Sequence, residues 1–212
     1  MKFDSKRNKV FLTDGIVVKQ FACEKSASFE MEQLQRLRVA GVLVPSVLFC
    51  EGFELGLEYV SGETLPDFIE RLERLQCERQ ASSMPYPAVL SELEAAAAAI
   101  ICWLSDFYRA VDSEKTGEIR GDVNGRNFLL DGACCIGVDF EERCFGTREQ
   151  DIGRLVAFVI TYTPQGTEVK AEFARMLMQN AVQILGVDAT EVERQRDLEL
   201  KAIIDRRARL KI

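Results

Sequence analysis

Residues 120–141, RGDVNGRNFLLDGACCIGVDFE, contain an aspartate, an asparagine five positions later and a second aspartate beyond a predicted turn. The apolar run Phe128–Leu130 is followed by Asp131-Gly132, a pair that favours a tight turn, and residues 133–138 are again largely apolar. This pattern predicts a β-hairpin. Because the two strands of a hairpin lie side by side, we expect Asn127 and Asp139 to meet at its open end.

The polar residues around this hairpin suit phosphoryl transfer. In such sites one carboxylate lies beside the acceptor hydroxyl, while an amide and a second carboxylate hold magnesium on ATP. Asp122 fits the first position, since no histidine competes for the role of base. Asn127 and Asp139 offer the hard oxygen ligands that magnesium prefers, and Glu141 either adds a ligand or caps the loop. An ordinary surface hairpin with polar flanks is the alternative interpretation.

Two charged residues near the start of the chain extend this pattern. A second hairpin is predicted over residues 10–21, and Lys19 stands alone between apolar neighbours on one face of it. Glu30 shares a helical face with the leucines that follow it, and a carboxylate on a packed face needs a partner. We therefore expect Lys19 to hold the ATP phosphates and Glu30 to orient Lys19. A strand-edge lysine reaching water and a surface carboxylate are the simpler alternatives.

Composition excludes several classes of protein. Histidine is absent, which excludes Ser-His-Asp and Cys-His catalysis and most catalytic zinc sites. Seven cysteines without a Cys-x-x-Cys spacing indicate reduced thiols in a cytoplasmic protein. We also expect no membrane segment, because no apolar run reaches the ~20 residues that span a bilayer. The first residues lack the apolar core of a signal peptide.

The charge distribution limits the partners of the protein. The net charge of −7 argues against a general nucleic-acid binder. An acidic surface would attract a cationic substrate, although solubility alone explains it equally well. The basic tail, residues 201–212, is the exception, because it could dock RNA or an acidic partner, or simply form a solvated helix end.

The order of the predicted elements indicates an α+β fold with two lobes. Residues 1–60 contain the first hairpin, one helix and two further strands, and we expect them to form a nucleotide-binding lobe. A break at residues 61–64 marks the boundary, and residues 61–212 would form a helical, catalytic and substrate-binding lobe. The predicted helices cover residues 24–40, 66–80, 88–111, 151–161, 168–185 and 190–210, with a strand delayed by Pro45 over 42–49, a strand over 54–60 and a loop over 81–87. Asp151 is expected to cap its helix and brace the loop around Asp122.

Together these residues resemble the aminoglycoside phosphotransferase and choline kinase branch of the protein-kinase-like superfamily. The similarity spans about residues 16 to 160. In the first part of the chain, the family's Gly-x-x-Val-Pro-x-Val strand entry appears at 41–47, and its hinge ending in Gly-Glu-x-Leu appears at 58–65. The family's His-Gly-Asp-x-x-x-x-Asn loop appears at 120–127, with Arg120 in place of the histidine. The metal-binding aspartate of the family appears in Val138-Asp139-Phe140-Glu141.

The resemblance implies transfer of the γ-phosphate of ATP to a hydroxyl of a small molecule, with Mg²⁺ as cofactor. It also implies that backbone groups of Glu58, Tyr59 and Val60 hold adenine while Val17 covers the ring. Two departures leave alternatives open. No Gly-x-Gly-x-x-Gly loop precedes Lys19. This absence would suit a pseudokinase that binds a nucleotide or a partner without turnover. The short C-terminal lobe is closer in size to small atypical Ser/Thr protein kinases, such as the RIO type and the kinase of the tRNA threonylcarbamoylation complex.

Overall fold

The computed structural model describes residues 2–3, 8–80 and 87–209, so most of the loop predicted over 81–87 lies outside the described residues. Its strands are β1 (Lys2–Phe3), β2 (Lys9–Thr13), β3 (Ile16–Gln20), β4 (Val47–Glu51), β5 (Glu54–Glu58), β6 (Glu63–Thr64), β7 (Glu118–Ile119), β8 (Phe128–Asp131), β9 (Cys134–Gly137) and β10 (Cys144–Phe145). Its helices are α1 (Glu24–Val39), α2 (Leu65–Gln80), α3 (Pro87–Ala110), α4 (Ser113–Thr116), α5 (Arg148–Thr161), α6 (Glu168–Asn180) and α7 (Ala189–Arg209), with a 3₁₀ turn at Gly125–Asn127 and a π-helical turn at Ala181–Leu185.

The first lobe is an antiparallel sheet against which α1 packs. The strand order is β1-β2-β3-β5-β4, and α1 contacts β4 and β5. The predicted hairpin of β2 and β3 turns at Asp14 and Gly15, which both have positive φ. The predicted delay after Pro45 is also confirmed, because β4 begins at Val47. Leu34 and Leu37 of α1 are buried in the core between the helix and the sheet.

The second lobe is mainly helical and is built around α3. This helix contacts α6, β9 and the π-helical turn, and it buries Ile100 and Leu104 completely. By length and composition α3 is the one helix, among the residues described, that could cross a membrane. No uninterrupted apolar run of that length occurs in α3, because Glu92, Glu94 and Asp106 interrupt it, so the expectation of no membrane segment stays a prediction. The same apolar residues supply much of the core of this lobe.

The predicted central hairpin is confirmed and lies at the middle of the fold. β8 and β9 are antiparallel, with Phe128 opposite Gly137, and β6 pairs with the other edge of β8. Gly137 lets the Trp103 ring lie directly on the strand, since a Cβ at that position would be 2.1 Å from the ring. Trp103 also contacts Phe128 and Phe140, with ring centroids 5.6 and 6.2 Å away. This aromatic packing fixes the strand end from which Asp139 projects.

Two predicted helix boundaries differ from the structure. α5 begins at Arg148 rather than Asp151, because the Gln150 side chain accepts a hydrogen bond from the backbone N–H of Thr147 and stabilises an earlier start. The capping role predicted for Asp151 is therefore wrong, and this residue lies buried inside the first turn. The helix predicted over 168–185 is α6 followed by the π-helical turn.

Two basic residues near the end of α7 contact other parts of the protein or of the same helix. Arg206 forms an ion pair with Glu199 at 2.6 Å, and Arg207 donates a hydrogen bond to the carbonyl of Thr161 at 2.9 Å. The last three residues of the predicted tail lie outside the described part of the chain. The lobe boundary at residues 61–64 stays a prediction, and β6 within it joins the sheet of the central hairpin.

Candidate active site

The side chain of Lys19 is the centre of a buried group of charges. Lys19 lies on β3, and its side chain is 7% exposed. Its Nζ is 2.7 Å from Glu30 Oε2, 2.6 Å from Asp139 Oδ1 and 2.7 Å from Glu141 Oε1. The structure therefore brings together four predicted site residues that come from β3, from α1 and from the segment after β9.

Glu30 joins α1 to both of the other segments. Its side chain is 1% exposed, so each of its oxygens needs a partner. One oxygen binds the ammonium of Lys19, and the other accepts a hydrogen bond from the backbone N–H of Phe140 at 3.1 Å. The predicted contact between Glu30 and Lys19 is thus present, and the contact with Phe140 adds a second link that sequence reasoning missed.

The charges in this group shift one another's pKa values. Burial acts to lower the pKa of Lys19, but Glu30 and Asp139 outweigh burial and raise that pKa above its ordinary value. Burial acts to raise the pKa of Asp139, and the neighbouring ammonium reverses this and lowers it. Burial raises the pKa of Glu30 despite the opposing effect of Lys19. Because three carboxylates share one ammonium, the group retains an excess of negative charge that favours a cation.

Arg120 holds the backbone around Asp139. Asp139 has a φ of +68°, a left-handed conformation that is strained for a residue with a side chain. The Nη2 of Arg120 donates to the carbonyls of Val138 and Asp139, both at 2.7 Å, and its guanidinium lies 4.4 Å from the centre of the Phe140 ring. Burial lowers the pKa of Arg120, although nearby carboxylates oppose this. The sequence showed only that an arginine replaces a histidine here, whereas the structure shows that it stabilises the strained turn.

Asp151 braces the loop that leads to Asp122, as the sequence predicted. Its Oδ2 accepts hydrogen bonds from the N–H of Arg120 at 2.7 Å and the hydroxyl of Tyr108 at 3.0 Å, and its Oδ1 accepts from the N–H of Gly121 at 2.9 Å. Burial raises the pKa of Asp151 to about 6, although these hydrogen bonds act in the opposite direction. The carboxylate thus holds the start of the loop from inside the helical lobe.

Asp122 and Asn127 lie at the two ends of that loop. Asp122 is exposed, and its Oδ1 accepts a hydrogen bond from the N–H of Asn124 at 3.3 Å. Asn127 is buried, and its side-chain Nδ2 donates to the backbone carbonyl of Asp122 at 3.2 Å. The backbone carbonyl of Asn127 accepts a hydrogen bond from the N–H of Val138 at 3.0 Å. Asn127 and Asp139 therefore lie at the same end of the hairpin, as predicted. Asp122 is joined to them through its backbone and leaves its carboxylate toward solvent.

The residues predicted to hold adenine lie at the end of β5. Val17 on β3 pairs with Leu57, and Glu58 follows as the last residue of the strand. The Glu58 carboxylate accepts hydrogen bonds from the hydroxyl and the N–H of Ser46, which lower its pKa. Tyr59 is 47% exposed and Val60 is half-buried. Their contact with a nucleotide, and their role as a hinge between the lobes, stay predictions.

Comparison with known proteins gives a match at the level of structure. Neither a protein-family model nor a curated protein sequence matches the chain. The chain is similar in structure to the gentamicin complex of APH(2″)-IIa, with a TM-score of 0.57 and 12% sequence identity. The match covers 91% of this chain and 78% of that one. The amicoumacin kinase hAmiN, in complex with AMP-PNP, Ca²⁺ and Ami, has a TM-score of 0.51 at 14% identity, with coverages of 86% and 72%.

A choline/ethanolamine kinase family protein from Mesorhizobium loti has a TM-score of 0.50 at 16% identity, with coverages of 91% and 73%. At these identities the similarity establishes the fold, and it extends over both the sheet and the helical part of the chain. The α+β architecture and the segregation of strands from helices agree with it. The chain therefore has the two-lobe, protein-kinase-like fold of these kinases, with a reduced N-terminal β lobe and a mainly helical C-terminal lobe.

Proposed function

We propose that this chain is a phosphotransferase that transfers the γ-phosphate of ATP to a hydroxyl of a small molecule and uses magnesium. The observation that carries the proposal is the buried contact of Lys19 with both Glu30 and Asp139, at 2.7 and 2.6 Å. Kinase sites use this combination, in which a lysine for the phosphates is oriented by a helix glutamate beside a metal-binding aspartate. The similar structures are kinases, and one of them holds AMP-PNP and Ca²⁺.

The donor set in the group around Lys19 fits magnesium. Carboxylate oxygens of Glu30, Asp139 and Glu141 lie within 4.8 Å of one another and are the hard ligands that this cation takes. Both oxygens of Glu30 already bind Lys19 and Phe140, so we assign the metal to Asp139 and Glu141 together with Asn127. Bound magnesium would neutralise charge on the transferring phosphate.

The residues of this chain would divide the work of the reaction between them. Lys19 would bind the α- and β-phosphates, and Glu30 would keep its ammonium in place. The Asp122 carboxylate, which faces solvent, would take the proton of the acceptor hydroxyl. The acceptor oxygen then forms a bond to the γ-phosphorus as the bond from that phosphorus to the ADP oxygen breaks. Asp151 would hold the loop in place through the N–H groups of Arg120 and Gly121.

The acceptor that suits this site is a small hydroxylated cation. The protein carries a net charge of −7, and the candidate base Asp122 is exposed to solvent. A positive acceptor would be drawn toward such a surface. The similar structures include a complex with gentamicin and a choline/ethanolamine kinase family protein, which supports the same class of acceptor.

A screen of acceptors with labelled ATP and magnesium tests the proposal. We expect one or more amino-alcohol or aminoglycoside acceptors to be phosphorylated by the wild type. The Asp122→Ala variant should lose about 10²–10⁴ in kcat, as expected for removal of a general base, while nucleotide still raises its Tm. Asp139→Ala should lose the Tm increase as well, because the metal that anchors the nucleotide is lost. Equal Tm responses of wild type and Asp139→Ala to ATP with magnesium would contradict the proposal.

One feature favours a second candidate, nucleotide binding without turnover. The hairpin of β2 and β3 turns over only two residues, Asp14 and Gly15, so it provides no long loop to cover the phosphates. Under this alternative the wild type gains stability from ATP with magnesium, and no acceptor, including a protein serine or threonine, is phosphorylated. The same acceptor screen therefore separates the two functions.

A further inference from the structure

A buried carboxylate outside the group around Lys19 joins the segments that carry the candidate site residues. Glu118 on β7 is 2% exposed. Its Oε1 accepts a hydrogen bond from Nη2 of Arg36 on α1 at 2.7 Å, and its Oε2 accepts one from Nη2 of Arg143, which lies between β9 and β10. We call these three residues the Glu118 cluster.

Each member of the Glu118 cluster lies close in sequence to a residue of the site. Arg36 follows Glu30 by six positions in the same helix, which places them about 9 Å apart along its axis. Glu118 precedes Asp122 by four positions, and Arg143 follows Asp139 by four. Two side chains of α1 thereby link this helix to the second lobe: Glu30 binds the backbone of Phe140, and Arg36 binds Glu118.

The charge of Glu118 is what holds the cluster together. Burial acts to raise the pKa of Glu118, but hydrogen bonds from Arg36 and Arg143 outweigh it and lower that pKa, so the carboxylate is ionised. Without this charge two guanidinium groups would face each other across a neutral side chain. The Nε of Arg36 is already buried and has no hydrogen-bond partner among the described residues. Repulsion would then move α1 away from the segment that follows Asp139.

We propose that Glu118 is a positioning residue, which sets the distance between α1 and the segment after β9 and thereby aligns Glu30 with Lys19 and Phe140. The proposal rests on the proposed function only where it concerns turnover. Its structural part, that the Glu118 charge holds Glu30 in place, is independent of whether the protein phosphorylates anything.

Hydrogen exchange tests the structural part. In Glu118→Gln, which keeps the shape of the side chain and removes its charge, we expect the amide of Phe140 and those in the middle of α1 to exchange about tenfold faster. The matched control is Glu73→Gln, which breaks the buried ion pair of Glu73 with Lys170 in the helical lobe. If exchange in α1 and at Phe140 is unchanged in Glu118→Gln, or rises equally in the control, the proposal is wrong.

Kinetic non-additivity tests the functional part. If the wild type is active, Glu118→Gln is expected to lower its kcat/KM for ATP about tenfold. Introduced into the Glu30→Gln variant, the same substitution is expected to lower kcat/KM by less than about twofold. A residue that only stabilises the fold would instead give independent, multiplying losses, and that result would overturn the positioning role. An inactive wild type would contradict the proposed function and leave the exchange measurement to decide on Glu118.

Discussion

Replacement of Lys19 by methionine should destabilise the protein by about 3–5 kcal/mol, because it leaves a buried charge without its partner. Lys19 Nζ is the cation that contacts Glu30 at 2.7 Å, and Glu30 is 1% exposed. In the variant Glu30 keeps only the N–H of Phe140 as a described partner. A loss of this size corresponds to a decrease in Tm of roughly 10 °C for a chain of this length.

The pH dependence of this variant follows from Glu30. Burial raises the pKa of Glu30, and Lys19 opposes that effect, so removal of Lys19 raises the pKa further. A carboxyl whose pKa is higher in the folded than in the unfolded protein contributes stability that is present at low pH and is lost as the pH rises. The stability deficit of Lys19→Met should therefore be smaller at pH 5 than at pH 8.

Urea denaturation followed by circular dichroism at the two pH values measures this effect. The double variant Lys19→Met/Glu30→Gln should be about 2 kcal/mol more stable than the sum of the single effects predicts. Lys115→Met is the matched control, since Lys115 pairs with Asp112 on the exposed surface and should contribute little. If Lys19→Met costs no more than this control, or if the two site substitutions are additive, the buried pair does not stabilise the protein as reasoned.

Three further predictions concern the loop and the turn beside it. Arg120→Ala removes two hydrogen bonds to backbone carbonyls and should cost about 3 kcal/mol in urea denaturation. Burial raises the pKa of Asp151 from an ordinary 3.8 to about 6, so this residue contributes stability that is present below about pH 4 and is lost as the pH rises through 6. In Asp151→Asn, the free energy of unfolding should therefore vary less with pH over this range. Gly121→Ala should lower the Tm more than Gly132→Ala, because both have positive φ but only at Gly121 would a Cβ meet a neighbour, 2.2 Å from Cys144 Sγ.

The contacts that follow from local patterns were predictable from the sequence. The turn at Asp131-Gly132 between apolar runs located the hairpin, and its geometry placed Asn127 and Asp139 at one end. The pairing of Lys19 with Glu30 followed from the cost of leaving either charge alone on a packed face. Both inferences rest on the spacing of apolar and polar residues, which a single sequence displays.

The remaining contacts depend on how distant segments meet, and no local pattern records that. Glu118 and Arg120 lie two positions apart, on β7 and just after it, but each has its hydrogen-bond partner in a distant segment. Their partners, the carbonyl of Asp139 and the guanidinium of Arg36, are brought to them by the packing of both lobes.

The single tryptophan is an intrinsic fluorophore that lies close to the candidate site. Trp103 lies against the ring of Phe140, the residue next to Asp139, and its indole N–H donates to the carbonyl of Leu43 at 2.7 Å. Any rearrangement of the segment after β9, or of the connection that leads into β4, must alter the surroundings of this one fluorophore. Emission spectra of the unlabelled chain can therefore follow nucleotide, metal and acceptor titrations without any engineered reporter.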